Sequence, residues 1–140
     1  MFSRPAEYAI RAMTFLASQP PGKLSGAREI SQKESIPVAF LWKILHTLTR
    51  QKLVRSFKGV RGGYELARPA HMIRVEDIIL ATHTTDPVRG CVLGLSECSE
   101  MNPCPLHPVW KDIQLQLAHM LEENTLADLA KVVQQRSLAQ

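Results

Sequence analysis

With 140 residues, 45% of them apolar, the chain is long enough to bury one core without disulfide staples, and three cysteines cannot all pair within it. Its start lacks the charged segment and apolar run of a secretory signal, and no apolar stretch nears the roughly 20 residues that span a bilayer, so the expectation is a cytoplasmic protein with reduced thiols and no membrane partner. The net charge of +4 is uneven: Ser35 to Tyr64 carries Lys43, Arg50, Lys52, Arg55, Lys58 and Arg61, all 13 carboxylates lie elsewhere, and such a one-signed stretch is an electrostatic footprint for phosphates.

In chain order, Ser3 is placed to cap a first helix whose apolar residues Ala6, Ala9, Ile10, Met13, Leu16 and Ala17 recur at helical spacing, with Pro5 tolerated in the first turn. Pro20-Pro21-Gly22 ends it. A second helix is predicted from Gly26 to Glu34 after a Ser25 cap, and Ser35-Ile36 leads to Pro37 at the first position of a third, reaching Gln51. Val38, Leu41, Leu45 and Leu48 form its core stripe, leaving Ala39, Trp42, Lys43, His46 and Arg50 toward the sides or solvent. Two β-type runs, Leu53 to Phe57 and Tyr64 to Leu66, flank the basic glycine-rich tip Lys58-Gly59-Val60-Arg61-Gly62-Gly63. A helix-turn-helix with a basic hairpin behind it has the outline of a winged helix. A fourth helix is expected from Val75 to Thr82, with Glu76 and Asp77 in its first turn.

Residues 83–107 have little periodicity, too long a run for an idle connection. They hold Cys91, Cys98 and Cys104, with His107 three residues beyond the last. Thiolates suit zinc or iron–sulfur centres. The wide gaps and the proline after Cys104 favour a cluster, while zinc and metal-free redox thiols stay open. Pro108 then opens a long helix to about Glu123 with Val109, Trp110, Ile113, Leu117, Met120 and Leu121 along one side, and Thr125 to Asp128 makes a capping box for a final short helix bearing Leu126, Leu129, Ala130 and Val133. The expected organisation is a mostly α chain with a small β-hairpin: a winged helix-turn-helix over 1–82, a cluster-binding loop over 83–107, and a dimerisation helix plus short C-terminal helix over 108–140. The long apolar helix implies a homodimer.

These residues resemble the Rrf-type winged-helix transcription regulators, among them IscR-like and NsrR-like iron–sulfur sensors. The resemblance rests on Glu7-Tyr8-Ala9-Ile10-Arg11-Ala12-Met13, on Ile36-Pro37 with Phe40-Leu41, on Leu53-Val54-Arg55-Ser56, on the wing ending in Gly62-Gly63-Tyr64-Glu65-Leu66, and on the cysteine loop running into Trp110. It implies a recognition helix in the major groove and a wing in the neighbouring minor groove of double-stranded DNA with a palindromic operator. Contacts then fall to Ser35, Ala39, Phe40, Trp42, Lys43 and His46 of the helix and to Arg55, Lys58 and Arg61 of the wing. Trp42 departs from IscR-like members, which carry a carboxylate there; an indole can stack or touch a thymine methyl but cannot accept a hydrogen bond from cytosine.

The resemblance also implies ligands Cys91, Cys98, Cys104 and His107 for a 2Fe–2S cluster. This is favoured over a 4Fe–4S cluster completed by a carboxylate of the other chain's first helix, a role Glu7 can fill. The first cysteine gap is one residue longer than in typical IscR-like proteins. The expected function is operator binding controlled by the cluster, the alternative being a regulator of the same family with zinc or cluster-free thiols. An electron carrier would have no use for a basic winged module. A thiol enzyme would need more than His107 as a base, so catalysis is not expected.

Overall fold

Helix α1 (Arg4–Ala17) begins where the sequence supplies its cap: Ser3 Oγ accepts the Ala6 N–H at 3.2 Å, and Pro5 occupies the first turn. The computed structural model describes residues 2–82, 90–95 and 100–139. The inward face of α1 is Ala6, Ala9, Ala12, Met13 and Leu16, and its three alanines let neighbouring helices approach closely. Helix α2 (Ala27–Glu34) is capped by Gly26 without a side-chain bond, so Ser25 is not the cap expected. Ser25 is instead extended and exchanges two backbone hydrogen bonds with Tyr64, at 3.0 and 2.8 Å, adding an edge to the wing.

Ser35 ends α2 in the left-handed region at φ 53° and ψ 46°, its N–H on the Ser31 carbonyl. The Ile36 N–H bonds the same carbonyl, and Ile36 is buried beneath the turn. Helix α3 (Val38–Arg50) follows this turn, with Pro37 as its cap rather than its first residue. Leu41, Ile44, Leu45 and Leu48 are its buried face, whereas Val38 is only half-buried. Strands β1 (Val54–Phe57) and β2 (Gly63–Leu66) pair antiparallel, Val54 opposite Leu66 and Phe57 opposite Gly63, completing a winged helix.

A single 3-10 turn (Ala70–Met72) leads to α4 (Val75–Thr82), where Asp77 accepts the Arg74 N–H at 2.9 Å. Helix α5 (His107–Glu123) and helix α6 (Leu126–Ala139) close the chain. Their junction is clasped to the start of α4: the Val75 N–H bonds the Asn124 carbonyl and the Leu126 N–H bonds the Ile73 carbonyl, each at 2.9 Å. The capping box forms as expected, with Thr125 N–H on Asp128 at 2.9 Å and Asp128 N–H on Thr125 Oγ1 at 3.3 Å. Helix α6 has 14 residues rather than being short, and it packs back on α1.

The main core joins α1, α2, α3 and β1 with Ile73, Ile78 and Leu126. A smaller cluster joins Val75 and Ile79 of α4 to Leu117 and Leu121 of α5. The apolar residues of α5 therefore divide. Trp110, Leu117 and Leu121 are buried within the chain, while Val109, Ile113 and Met120 stay exposed. Among the described residues no helix is long and apolar enough to cross a membrane.

Candidate nucleic-acid interface and cysteine loop

Ala39, Trp42, Lys43 and His46 fall three or four residues apart and share one exposed face of α3, with Ser35 exposed at the turn below. Trp42 is 50% exposed, so it is not buried against the wing. Phe40, also exposed, leans away from that face and meets the Tyr8 ring edge-on, centroids 6.3 Å apart. The guanidinium groups of Arg11 and Arg4 stand 5.7 and 6.0 Å from the centre of the same Tyr8 ring. An aromatic and cationic cluster thus flanks the recognition helix on the α1 side, a feature hidden in the sequence because its members lie some 30 positions apart.

The wing divides by charge. Lys58 and Arg61 are exposed at the tip, whereas Arg55, at the base, pairs with Glu65 directly across the ladder at 3.4 Å. The expectation of a purely positive hairpin therefore holds for the tip and not for the base, because a carboxylate of β2 faces Arg55. Two glycines shape this hairpin. A Cβ on Gly62 would lie 2.1 Å from the Phe57 carbonyl oxygen, and Gly63, at φ 151°, passes the Ser25 backbone where a Cβ would lie 2.9 Å away.

In the loop, the backbone N–H groups of Leu93, Leu95 and Gly94 donate toward Cys91 Sγ, and the Cys104 thiol lies within hydrogen-bond reach of it. These donors, led by Leu93, hold the Cys91 thiol below its ordinary pKa. The turn closes through a Gly94 N–H to Cys91 carbonyl bond at 3.0 Å, with Gly94 in the left-handed region at φ 76°. Cys91 and Cys104 are both half-buried free thiols. His107 is the first residue of α5, not the one before it; its N–H bonds the Cys104 carbonyl at 3.0 Å and its ring is buried.

Cys98 lies outside the described residues, and among those described no three His, Cys, Asp or Glu side chains stand close enough together to hold a metal ion. Two of the four expected ligands are thus brought together, and the third described one, His107, is tied to Cys104 by a backbone hydrogen bond. Glu7 is exposed on α1, 4.0 Å from Arg4. The donor chemistry nonetheless fits a soft metal centre: two neighbouring sulfurs, one with N–H groups that stabilise a metal-bound thiolate directed toward it, and a histidine whose backbone N–H is bonded to the second cysteine's carbonyl.

Sequence reasoning missed the attachment of this loop to α5. The Gly90 carbonyl accepts from Trp110 Nε1 at 2.9 Å and from Gln114 Nε2 at 3.2 Å, and Lys111 pairs with Glu100. The spacing of His107, Trp110, Gln114, Leu117 and Leu121 at alternating steps of three and four residues was the available signal for an inward face.

The chain matches the family model Rrf2, described as an iron-dependent transcriptional regulator, over residues 2–132. It is 38% identical over 130 residues to a protein of Mycobacterium tuberculosis named as an HTH-type transcriptional regulator, spanning 91% of this chain and 80% of that one. Among solved structures, CymR, the global cysteine regulator of B. subtilis, superposes with a TM-score of 0.80 at 24% identity, covering 94% of this chain and 97% of that one. IscR of T. potens superposes with a TM-score of 0.77 at 25% identity, covering 100% and 93%.

Proposed function

This chain belongs to the Rrf2 family of transcriptional regulators, and from that premise we propose that its grip on operator DNA is governed by an iron–sulfur cluster held in the cysteine loop. It is a DNA-binding regulator with a winged helix-turn-helix, not an enzyme. The observation that carries the proposal is the tight turn at residues 91–95, closed by the Gly94 N–H on the Cys91 carbonyl at 3.0 Å, with N–H groups directed toward the Cys91 thiol and Cys104 within reach of it. N–H donors to sulfur stabilise a metal-bound thiolate and tune the centre it holds.

The residues that would hold the cluster are Cys91, Cys98 and Cys104, with His107 as the fourth ligand of a 2Fe–2S centre. The 4Fe–4S alternative takes Glu7 from a second copy, which its exposure on α1 permits. When bound, such a group supplies an oxidisable centre sensitive to redox state and nitric oxide. The chain's own part is to orient the thiolates, limit solvent access and pass the loop's state onward. On the DNA side we assign Ser35, Ala39, Trp42, Lys43 and His46 to the major groove with Phe40 at its margin, and Lys58 and Arg61 to the minor groove, Arg55 following once Glu65 releases it. The exposed Val109, Ile113 and Met120 of α5 supply the homodimer face, and two copies fit a palindrome. The protein works in the cytoplasm, where the DNA and the reduced thiols are.

Anaerobic purification with visible absorption and iron and sulfide analysis tests the metal. Operator binding by loaded and metal-free protein across a salt series tests the control. A brown protein whose two forms bind differently is expected, with the colour lost in Cys91→Ala; His107→Ala and Glu7→Ala then separate the two nuclearities. Colourless protein with stoichiometric zinc, or two forms of equal affinity, overturns the cluster control and leaves the DNA binding intact. The contact between Cys91 and Cys104 favours one second reading, cluster-free redox thiols, in which those two cysteines alone would be required.

A further inference from the structure

Both described ends of the cysteine loop are fastened to the first two turns of α5. The Gly90 carbonyl, one peptide before Cys91, takes the Trp110 indole N–H and the Gln114 amide, at 2.9 and 3.2 Å. On the other side the Cys104 carbonyl takes the His107 N–H at 3.0 Å, and Cys104 itself reaches Cys91. Trp110 is only 7% exposed, and a buried indole N–H needs its acceptor, so the ring must follow Gly90 or leave a donor unsatisfied. On the same face of α5, Leu117 and Leu121 pack against Val75 and Ile79 of α4, and α4 packs on both α1 and α3.

We propose that Trp110 and Gln114 are positioning residues that carry the state of the cysteine loop along one face of α5 to α4 and so to the recognition helix. This rests on the reading of the loop as a cluster site. Taking up or releasing a ligand at Cys91 reorients the 90–91 peptide. The two bonds to its carbonyl convert that rotation into a displacement of a stiff helix, and interdigitated apolar side chains transmit a displacement of α5 to α4 without absorbing it.

The test uses the full-length protein, cluster-loaded and after removal of the metal by a chelator, with a duplex selected from random sequence by the wild-type protein as the probe. Trp110→Phe keeps the ring and deletes the N–H; Gln114→Leu deletes the second donor and covers the case in which the first variant fails to fold. Wild-type affinities for the two forms are expected to differ by about 5–150-fold, the usual span of allosteric coupling. In each variant the visible absorption should stay that of wild type while this ratio falls toward one. Amide hydrogen exchange over residues 75–82 reads the same coupling without DNA and should depend on the loop's state in wild type alone. Variants that keep both the wild-type ratio and that state dependence overturn the inference while leaving the cluster reading intact. A wild-type protein that is colourless or blind to its metal overturns that reading and this inference with it.

Discussion

The winged module and the cysteine loop are held by different forces. Around α3 the side chains that matter for shape, Met13, Leu41, Leu45 and Leu48, are fully buried and belong to one cluster, so the recognition helix is positioned by apolar packing. In the loop Val92, Leu93, Leu95 and Met101 face solvent, and what holds the described residues is a handful of hydrogen bonds and one ion pair. Packing of the first kind is cooperative and insensitive to small chemical changes, whereas a few polar contacts open locally at low cost. The winged module is set by packing, and the described residues of the cysteine loop are set by a few polar contacts.

The strongest way to break this contrast is Leu45→Ala. The cavity it leaves should cost about 2–5 kcal/mol and abolish operator binding, as followed by thermal unfolding and anisotropy. An exposed loop residue such as Leu95→Ala should leave the melting of the metal-free protein unchanged; equal losses in the two would end the distinction. Gly62→Val comes next. With a Cβ 2.1 Å from the Phe57 carbonyl, the wing must open, at a cost of about 1–3 kcal/mol and a loss of affinity greater than the stability change explains. Arg61→Ala should spare stability and lower the slope of log affinity against log salt by about 0.9, one phosphate contact; an unaltered slope would take Arg61 off the DNA backbone.

The smallest effects are titrations that run in opposite senses. Burial raises Glu34 above the ordinary value of 4.5, with Arg11 opposing, so folding favours its protonated form and stability is lost as pH rises through the folded value. Glu34→Gln should therefore raise the Tm at neutral pH and give no gain below 4.5. Asp128 is held below 3.8 by the N–H and then the hydroxyl of Thr125, so its contribution is present above that value and lost in stronger acid. Asp128→Ala should lower the Tm at neutral pH, with the difference from wild type shrinking as the pH falls through the folded value of Asp128.

Much of the fold was legible because its signals are local. The Ser3 cap, the periodic burial of α1 and α3, the Thr125–Asp128 box and the glycine-rich tip each announce themselves within a few residues. What escaped required knowledge of distant neighbours. Ser25 looks like a cap until Tyr64 is beside it, Arg55 looks free until Glu65 faces it, and Val38 looks buried until the turn of α3 brings Ile44 inward instead. At the cysteine loop, composition named the candidates but not their attachment, since nothing near Gly90 in sequence foretells Trp110 and Gln114. The role of His107 is the hardest to read, because its ring is buried at the head of α5 while Cys98 falls outside the described residues.

The clasp between residues 73–75 and 124–126 has a bearing on how the protein is born. Leu126 is fully buried in the same core as α1 and α3, so the core that positions the recognition helix is completed by a segment made well after that helix. A nascent chain that already carries every DNA-facing side chain still lacks this plug. The recognition module is then expected to gain its full stability only once residues 124–126, and with them the cysteine loop, have been made.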